Sequence, residues 1–245
     1  INPDPTVRQD VNPQGALALP VPESDNVYYL IHAQSTWAPT TGAFHQIFSC
    51  LYSTIDMKLN NGLGKVTKIN QILIADTLCY GKLTACKHAN GRDWWILIPK
   101  SNSAKYFTFL LSPNGIEEFT PQILGDPPFS SYGQSVFSPD GTKYVKLNSP
   151  GGPGAWIDIY DFDRCTGTLS NYRKIFKIPG GASGAAISLN SRYLYISLGI
   201  ILYQYDLLAD DIEASEILIG EYDGYLSPLH TFFSSSNSLP TANST

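Results

Sequence analysis

Phe137-Ser138-Pro139-Asp140-Gly141-Thr142-Lys143-Tyr144 reads as the end of one apolar segment, a tight reversal and the start of another. Asp and Gly tolerate the positive φ that a tight hairpin turn demands, and the flanking hydrophobic residues supply the strands it joins. The reversal recurs at an even spacing. Asn90-Gly91 stands fifty residues before Asp140-Gly141, and Asn190-Ser191 stands fifty after it. Aromatic residues follow each turn: Trp94 and Trp95, then Tyr144, then Tyr193 and Tyr195. A fixed period of this size marks a repeat architecture. The spacing assigns Trp94, Tyr144 and Tyr195 to comparable positions, where they serve as packing residues.

Strands can be read outward from these turns. Val27 to His32, Phe44 to Met57 and Ile69 to Ile74 precede the first cassette. Leu83 to His88, Trp94 to Ile98 and Tyr106 to Leu111 form it. Gln134 to Phe137, Tyr144 to Leu147, Trp156 to Phe162 and Tyr172 to Ile178 form the second. Ala185 to Leu189, Tyr193 to Ser197, Ile201 to Leu207 and Glu216 to Glu221 form the third. Four short strands per period predict an all-β chain, a β-propeller of four-stranded antiparallel blades. Residues 25–233 hold the blades. Residues 1–24, with Pro3, Pro5, Pro13, Pro20 and Pro22, read as a Pro-rich arm or the remnant of a preceding blade, and 234–245 as a Ser/Asn-rich tail or linker. The span has room for about four blades, the lower limit for a closed ring, so a truncated or incomplete ring is expected.

Composition agrees with this class. Among 245 residues, aromatics reach 12% and charged residues only 15%, with 20 Gly and 17 Pro to build turns. The net charge of −5 and the scatter of 16 basic residues, densest at Lys58, Lys65 and Lys68, argue against nucleic acid as a partner. The apolar run Tyr193 to Tyr205 is too short to span a bilayer as a helix, so no membrane insertion is expected. Cys50, Cys79, Cys86 and Cys165 match no zinc spacing. Cys79 and Cys86 could meet on neighbouring strands as a disulfide, or remain buried thiols.

The most polar and aromatic cluster is Lys87 to Trp95. His88, Arg92 and Asp93 could line a pocket with Trp94 as a sugar-stacking platform; alternatively His88 and Asp93 lock the hairpin of one blade. Gly181-Ala182-Ser183-Gly184 lacks the spacing of a nucleophile elbow, and Gly151-Gly152-Pro153-Gly154 lacks the features of a phosphate loop. Asp158, Asp161 and Asp163 lie close along one segment but lack a calcium-loop order, and Asp161 and Asp206 read better as repeated turn caps. No catalytic set, metal site or cofactor is expected from these residues.

Phe137 to Tyr144 resembles the F-S-P-D-G repeat of WD40-like, TolB-type propellers. Together with Lys82 to Trp95, Tyr160 to Asn171 and Leu202 to Leu207, it is similar to the propeller region of large secreted surface proteins of Bacteroidetes-type bacteria. The resemblance covers roughly residues 26–230 and departs at Leu189-Asn190-Ser191. It implies an extracellular or cell-surface setting, type IX sorting, and no inherited catalytic residue. The expectation is a non-enzymatic propeller for surface display, adhesion or assembly, with a protein or glycan partner or self-assembly. Three alternatives stand beside it: a propeller lactonase or hydrolase, a carbohydrate-binding module using Trp37, Trp94, Trp95 or Trp156, and a filament subunit.

Overall fold

The computed structural model describes residues 13–36, 46–127, 133–149, 154–178 and 183–221. Trp37, Gly151 to Pro153, Gly181-Ala182, the side chain of Ser183, residues 1–12 of the arm and the 234–245 tail lie outside them.

Sixteen described strands form four antiparallel sheets, each a meander in chain order. Blade 1 comprises β1 (Ala16–Pro20), β2 (Val27–Thr36), β3 (Gln46–Asp56) and β4 (Lys65–Ile74). Blade 2 comprises β5 (Thr84–Lys87), β6 (Trp94–Pro99), β7 (Lys105–Ser112) and β8 (Gly115–Ile123). Blade 3 comprises β9 (Ser135–Phe137), β10 (Lys143–Asn148), β11 (Ala155–Asp163) and β12 (Thr168–Lys177). Blade 4 comprises β13 (Ser183–Ile187), β14 (Tyr193–Leu198), β15 (Ile201–Asp206) and β16 (Ile217–Glu221). The first strands contact one another, β5 with β9 and β9 with β13, and so line the axis. These are blades of a β-propeller, as the fifty-residue spacing predicts.

Two strands escape the sequence reading. Ala16–Pro20 falls inside the Pro-rich arm of that reading, yet it pairs with β2 as an inner strand. Gly115–Ile123 carries Glu117, Glu118 and Pro121, a poor strand signature that an outer strand with one free edge tolerates.

The repeated turns share one device. Gly91, Gly141 and Ser191 hold positive φ values of 73°, 72° and 59°. The carboxamide or carboxylate oxygen of Asn90, Asp140 and Asn190 accepts the backbone N–H two residues on, from Arg92, Thr142 and Arg192. Ser191 replaces glycine but gains a role, because its hydroxyl accepts the Asp140 N–H of the neighbouring blade at 3.0 Å.

Strand register corrects one sequence assignment. Trp94 faces Lys87, Tyr144 faces Phe137 and Leu194 faces Ile187 across their hairpins. Leu194, not Tyr195, is therefore the counterpart of Trp94 and Tyr144; Tyr195 corresponds to Trp95 and Val145, one step along, on the opposite face. The cores follow this alternation. Ile31, Leu19, Ile96, Ile98 and Phe109 pack between blades 1 and 2. Trp95, Leu97, Tyr106, Tyr144, Tyr160 and Phe162 pack between blades 2 and 3. Val145, Leu147, Ile157, Leu194, Ile196 and Leu198 pack between blades 3 and 4.

All four cysteines are free: Cys50, Cys79 and Cys86 are buried and Cys165 is exposed. The Cys79–Cys86 disulfide does not form. Cys79 precedes the blade and donates its thiol to the Lys100 carbonyl oxygen, whereas Cys86 packs with Trp95. No helix among the described residues is long and apolar enough to cross a membrane.

Candidate functional site

A cleft of about 360 Å³ opens between the inner strands of blades 2 and 3. Its walls run from Gln14, Thr84, Ala85 and Ser135 at one end to Lys87, Trp94, Asp140 and Arg164 at the turn end. The Lys87 ammonium lies 4.0 Å from the centroid of the Trp94 ring and donates to the Arg92 carbonyl oxygen. The buried Trp94 indole N–H has no partner among the described residues.

Of the four residues singled out by sequence, only Trp94 lines this cleft. His88, Arg92 and Asp93 instead build the adjoining hairpin turn. The His88 imidazole Nδ1 accepts the Asn90 N–H, and the Asn90 carboxamide donates to the Asp93 carboxylate at 2.8 Å. Arg92 donates to the same carboxylate and reaches across to Glu23 of blade 1 at 2.5 Å. The guanidinium beside Asp93 holds its carboxyl below the usual carboxylate range. These charges tie one turn together and tether it to blade 1.

Arg164 lies at the turn between β11 and β12. Its guanidinium donates to the Lys87, His88 and Asp140 carbonyl oxygens, and its own carbonyl accepts the Trp95 indole N–H. It clamps blade 2 to blade 3 beside the cleft. Asp140 is engaged too. Burial alone would raise its pKa, but donors from Ser138 and Thr142 hold it low. Cys86 lines the same cleft, and burial pushes its thiol up to about 12, so it offers no thiolate at neutral pH.

Behind the cleft the repeat breaks. At equivalent positions of the second strands stand Ile96, Lys146 and Ile196, and then Ile98, Asn148 and Leu198. Across the next pairing Ile96 meets Phe109 and Ile196 meets Tyr203, but Lys146 meets Asp158. Blade 3 thus places an ionic pair where its neighbours place hydrophobic ones. The Lys146 ammonium lies 3.3 Å from the Asp158 carboxylate and donates to the Tyr106 hydroxyl at 2.7 Å, fully buried. Asp158 also accepts from Asn148 at 2.6 Å and Tyr172 at 3.0 Å. Lys82 lies close by, buried, donating to the Tyr80 and Gly133 carbonyl oxygens. Burial lowers its pKa to about 8, with Lys146 adding to the effect. Only the alignment of blades by register exposes this layer.

The three aspartates Asp158, Asp161 and Asp163 are separated by their partners. Asp158 joins the buried layer, Asp161 pairs with Lys143 and Arg173, and Asp163 caps the Cys165 N–H. Among the described residues no group of three His, Cys, Asp or Glu side chains is placed to hold a metal ion.

Blades and axial cleft define the class: a β-propeller with a polar cleft between two inner strands. No protein-family model matches the chain, and no curated protein matches it. Solved structures do. The chain is similar to a candidate 6-phosphogluconolactonase from Bacteroides fragilis, with a TM-score of 0.50, 14% identity, and coverage of 87% of this chain and 56% of that one. It is similar to a candidate 6-phosphogluconolactonase from Bacteroides uniformis, with a TM-score of 0.49, 17% identity, and coverage of 82% and 51%. It is also similar to the Pseudomonas aeruginosa periplasmic gluconolactonase, with a TM-score of 0.48, 14% identity, and coverage of 84% and 52%. The chain spans about half the length of these structures. At such identities the likeness shows the fold. It also corrects the expectation of a non-enzyme: a solved propeller that shares the architecture bears a lactonase name, and an absent sequence motif is no ground for excluding catalysis on this fold.

Proposed function

We propose that this chain carries the substrate cleft of a hydrolase of the propeller lactonase kind, acting on a small, polar cyclic ester. The observation that carries the reading is the Lys87 ammonium 4.0 Å above the Trp94 ring, in a cleft between two axial strands. The shared fold with a candidate 6-phosphogluconolactonase supports it. In lactone hydrolysis water adds to the carbonyl carbon, the ring C–O bond breaks, and the released alkoxide takes a proton to give a hydroxy acid. Negative charge develops on the carbonyl oxygen, and donors placed there lower the barrier. Lys87 supplies a cation for that oxygen, and the Trp94 ring forms the apolar wall beside it. Asp140 and Arg164 shape the cleft while their polar atoms hold the turns.

Proton release from gluconolactone and 6-phosphogluconolactone, followed against the buffer rate, tests the proposal. Turnover should fall roughly a hundredfold in Lys87→Met, the size of effect expected for one lost oxyanion donor. Hydrolysis no faster than buffer, or a Lys87→Met protein that folds and turns over normally, overturns it. The likeness to secreted surface proteins, with an extracellular setting and protein or glycan partners, is part of the same proposal. It is supported by the joint occurrence of the Lys82 to Trp95, Phe137 to Tyr144 and Tyr160 to Asn171 segments. A reading frame without an export signal would count against that part.

A further inference from the structure

We propose that the axis-facing edge of β5 at Ala85 is a binding site for a primary carboxamide, the group at the end of a glutamine or asparagine side chain. Inner strands pair with a neighbour on one side only. The His88 N–H donates to Asp93, the Ser138 N–H to Lys143 and the Ser188 N–H to Tyr193, each at the mouth of its hairpin. Hydrogen-bonded positions alternate along an antiparallel pair. Three residues back, Ala85, Ser135 and Ala185 therefore turn N–H and C=O away from the ladder and toward the axis.

Two of these three positions hold a glutamine carboxamide. Ser135 donates its N–H to Gln14 Oε1 at 2.9 Å, and its carbonyl accepts from Gln14 Nε2 at 2.7 Å. Ala185 donates its N–H to Gln134 Oε1 at 3.1 Å. Gln14 adopts a φ of 50°, a conformation that L residues enter only when surroundings hold them there. Ala85 has no such cap among the described residues, although it lines the cleft beside Thr84, Gln14 and Ser135. Its counterpart in blade 1, Ala18, is exposed, where water serves the edge. Among the described residues, Ala85 is where a partly enclosed cleft meets an uncapped edge.

The geometry selects the ligand class. A primary carboxamide presents one N–H and its C=O on the same side, so it can engage the C=O and N–H of one residue together, as Gln14 does at Ser135. A trans secondary amide presents them on opposite sides and cannot. Lys87, two residues along the cleft, favours a ligand that also carries a carboxylate. The site shares its cleft and Lys87 with the lactonase reading but is read by binding alone, so either can fail without the other.

Titration of the ¹⁵N-labelled protein with N-acetyl-L-glutamine, monitored by amide shifts, tests this. The Ala85 N–H should move downfield and saturate in the millimolar range while Ser135, already capped, stays in place. In Gln14→Ala the Ser135 N–H should respond as well. N-acetyl-L-glutamate, equal in shape but lacking the donor, should leave Ala85 unmoved. An unresponsive Ala85 overturns the proposal, as does an equal response to the glutamate compound or a response to N-acetylglucosamine alone.

Discussion

A single guanidinium joins blades 2 and 3 at the cleft. Arg164 spends its fork on three carbonyl oxygens, at 2.8, 2.9 and 3.1 Å, two from the end of the β5 hairpin and one from the Asp140 turn. Hydrogen bonds from a charged donor contribute more than neutral ones, and an ammonium cannot span three divergent acceptors. Arg164→Ala is expected to lower unfolding stability by about 2–4 kcal/mol, and Arg164→Lys to recover less than half of the loss. Urea denaturation midpoints measure both; a change within experimental scatter for the alanine variant would remove Arg164 from this role. The residue also marks where sequence reading stops. Asp140-Gly141 announces its turn, because only certain side chains suit a positive φ. Arg164 announces nothing, because its partners are backbone carbonyls and carry no residue identity. His88, Arg92 and Asp93 drew attention for the opposite reason. Their chemistry is conspicuous in sequence, yet the hairpin consumes it.

Along the strands, β10 and β11 show how a repeat can hide a departure. Read singly, Lys146 and Asp158 are unremarkable alternating residues, and the sequence groups Asp158 with Asp161 and Asp163. Set against Ile96 and Ile196 by register, Lys146 becomes the exception, and Asp158 becomes its partner. The segment leading into β5 adds Lys82, whose pKa burial lowers to about 8. Between that value and the ordinary lysine pKa near ~10.4, the unfolded chain binds more protons than the folded one, so this group makes stability rise with pH through that window and stay level below it. Cys79 and Tyr144 act oppositely, because burial raises both and the folded state then keeps protons longer as pH climbs. Lys146 and Asp158 also face Lys82 and set its field. Subtracting the profile of Lys82→Met from that of the parent isolates the lysine. The variant should gain stability relative to the parent at neutral pH by on the order of 3 kcal/mol more than at about pH 10.5. A difference profile flat across that range would show that Lys82 titrates normally.

At the scale of the molecule, the described blades are not equally supported. Blades 2 and 3 each bury both faces, in the clusters they share with blades 1 and 4 and with each other. Blades 1 and 4 contribute one face each to these clusters, and their outer strands are open: every residue of β16 is exposed, and β4 is exposed until Leu73. Val66, Ile69 and Ile72 on β4 and Ile217, Leu218 and Ile219 on β16 leave apolar side chains in solvent. In repeat architectures stability is close to a sum of unit and interface terms, so a unit with two interfaces outlasts a unit with one. The ionic layer lies within the best supported interface, where Lys146 and Asp158 are fully enclosed and tied to Tyr106, Asn148 and Tyr172. A buried pair adds little to stability by itself, but leaving either partner alone is severely unfavourable, so the pair ties β10 and β11 to one register within blade 3, and the Tyr106 hydroxyl that accepts from Lys146 carries the link to blade 2. Hydrogen exchange followed by mass spectrometry should therefore rank the strands. Peptides covering β6, β7, β10 and β11 should retain their amides longest, at rates set by global unfolding, while β4 and β16 exchange first through local opening. Uniform protection across all four blades would mean that the blades unfold as one unit and that the open outer strands carry no local weakness.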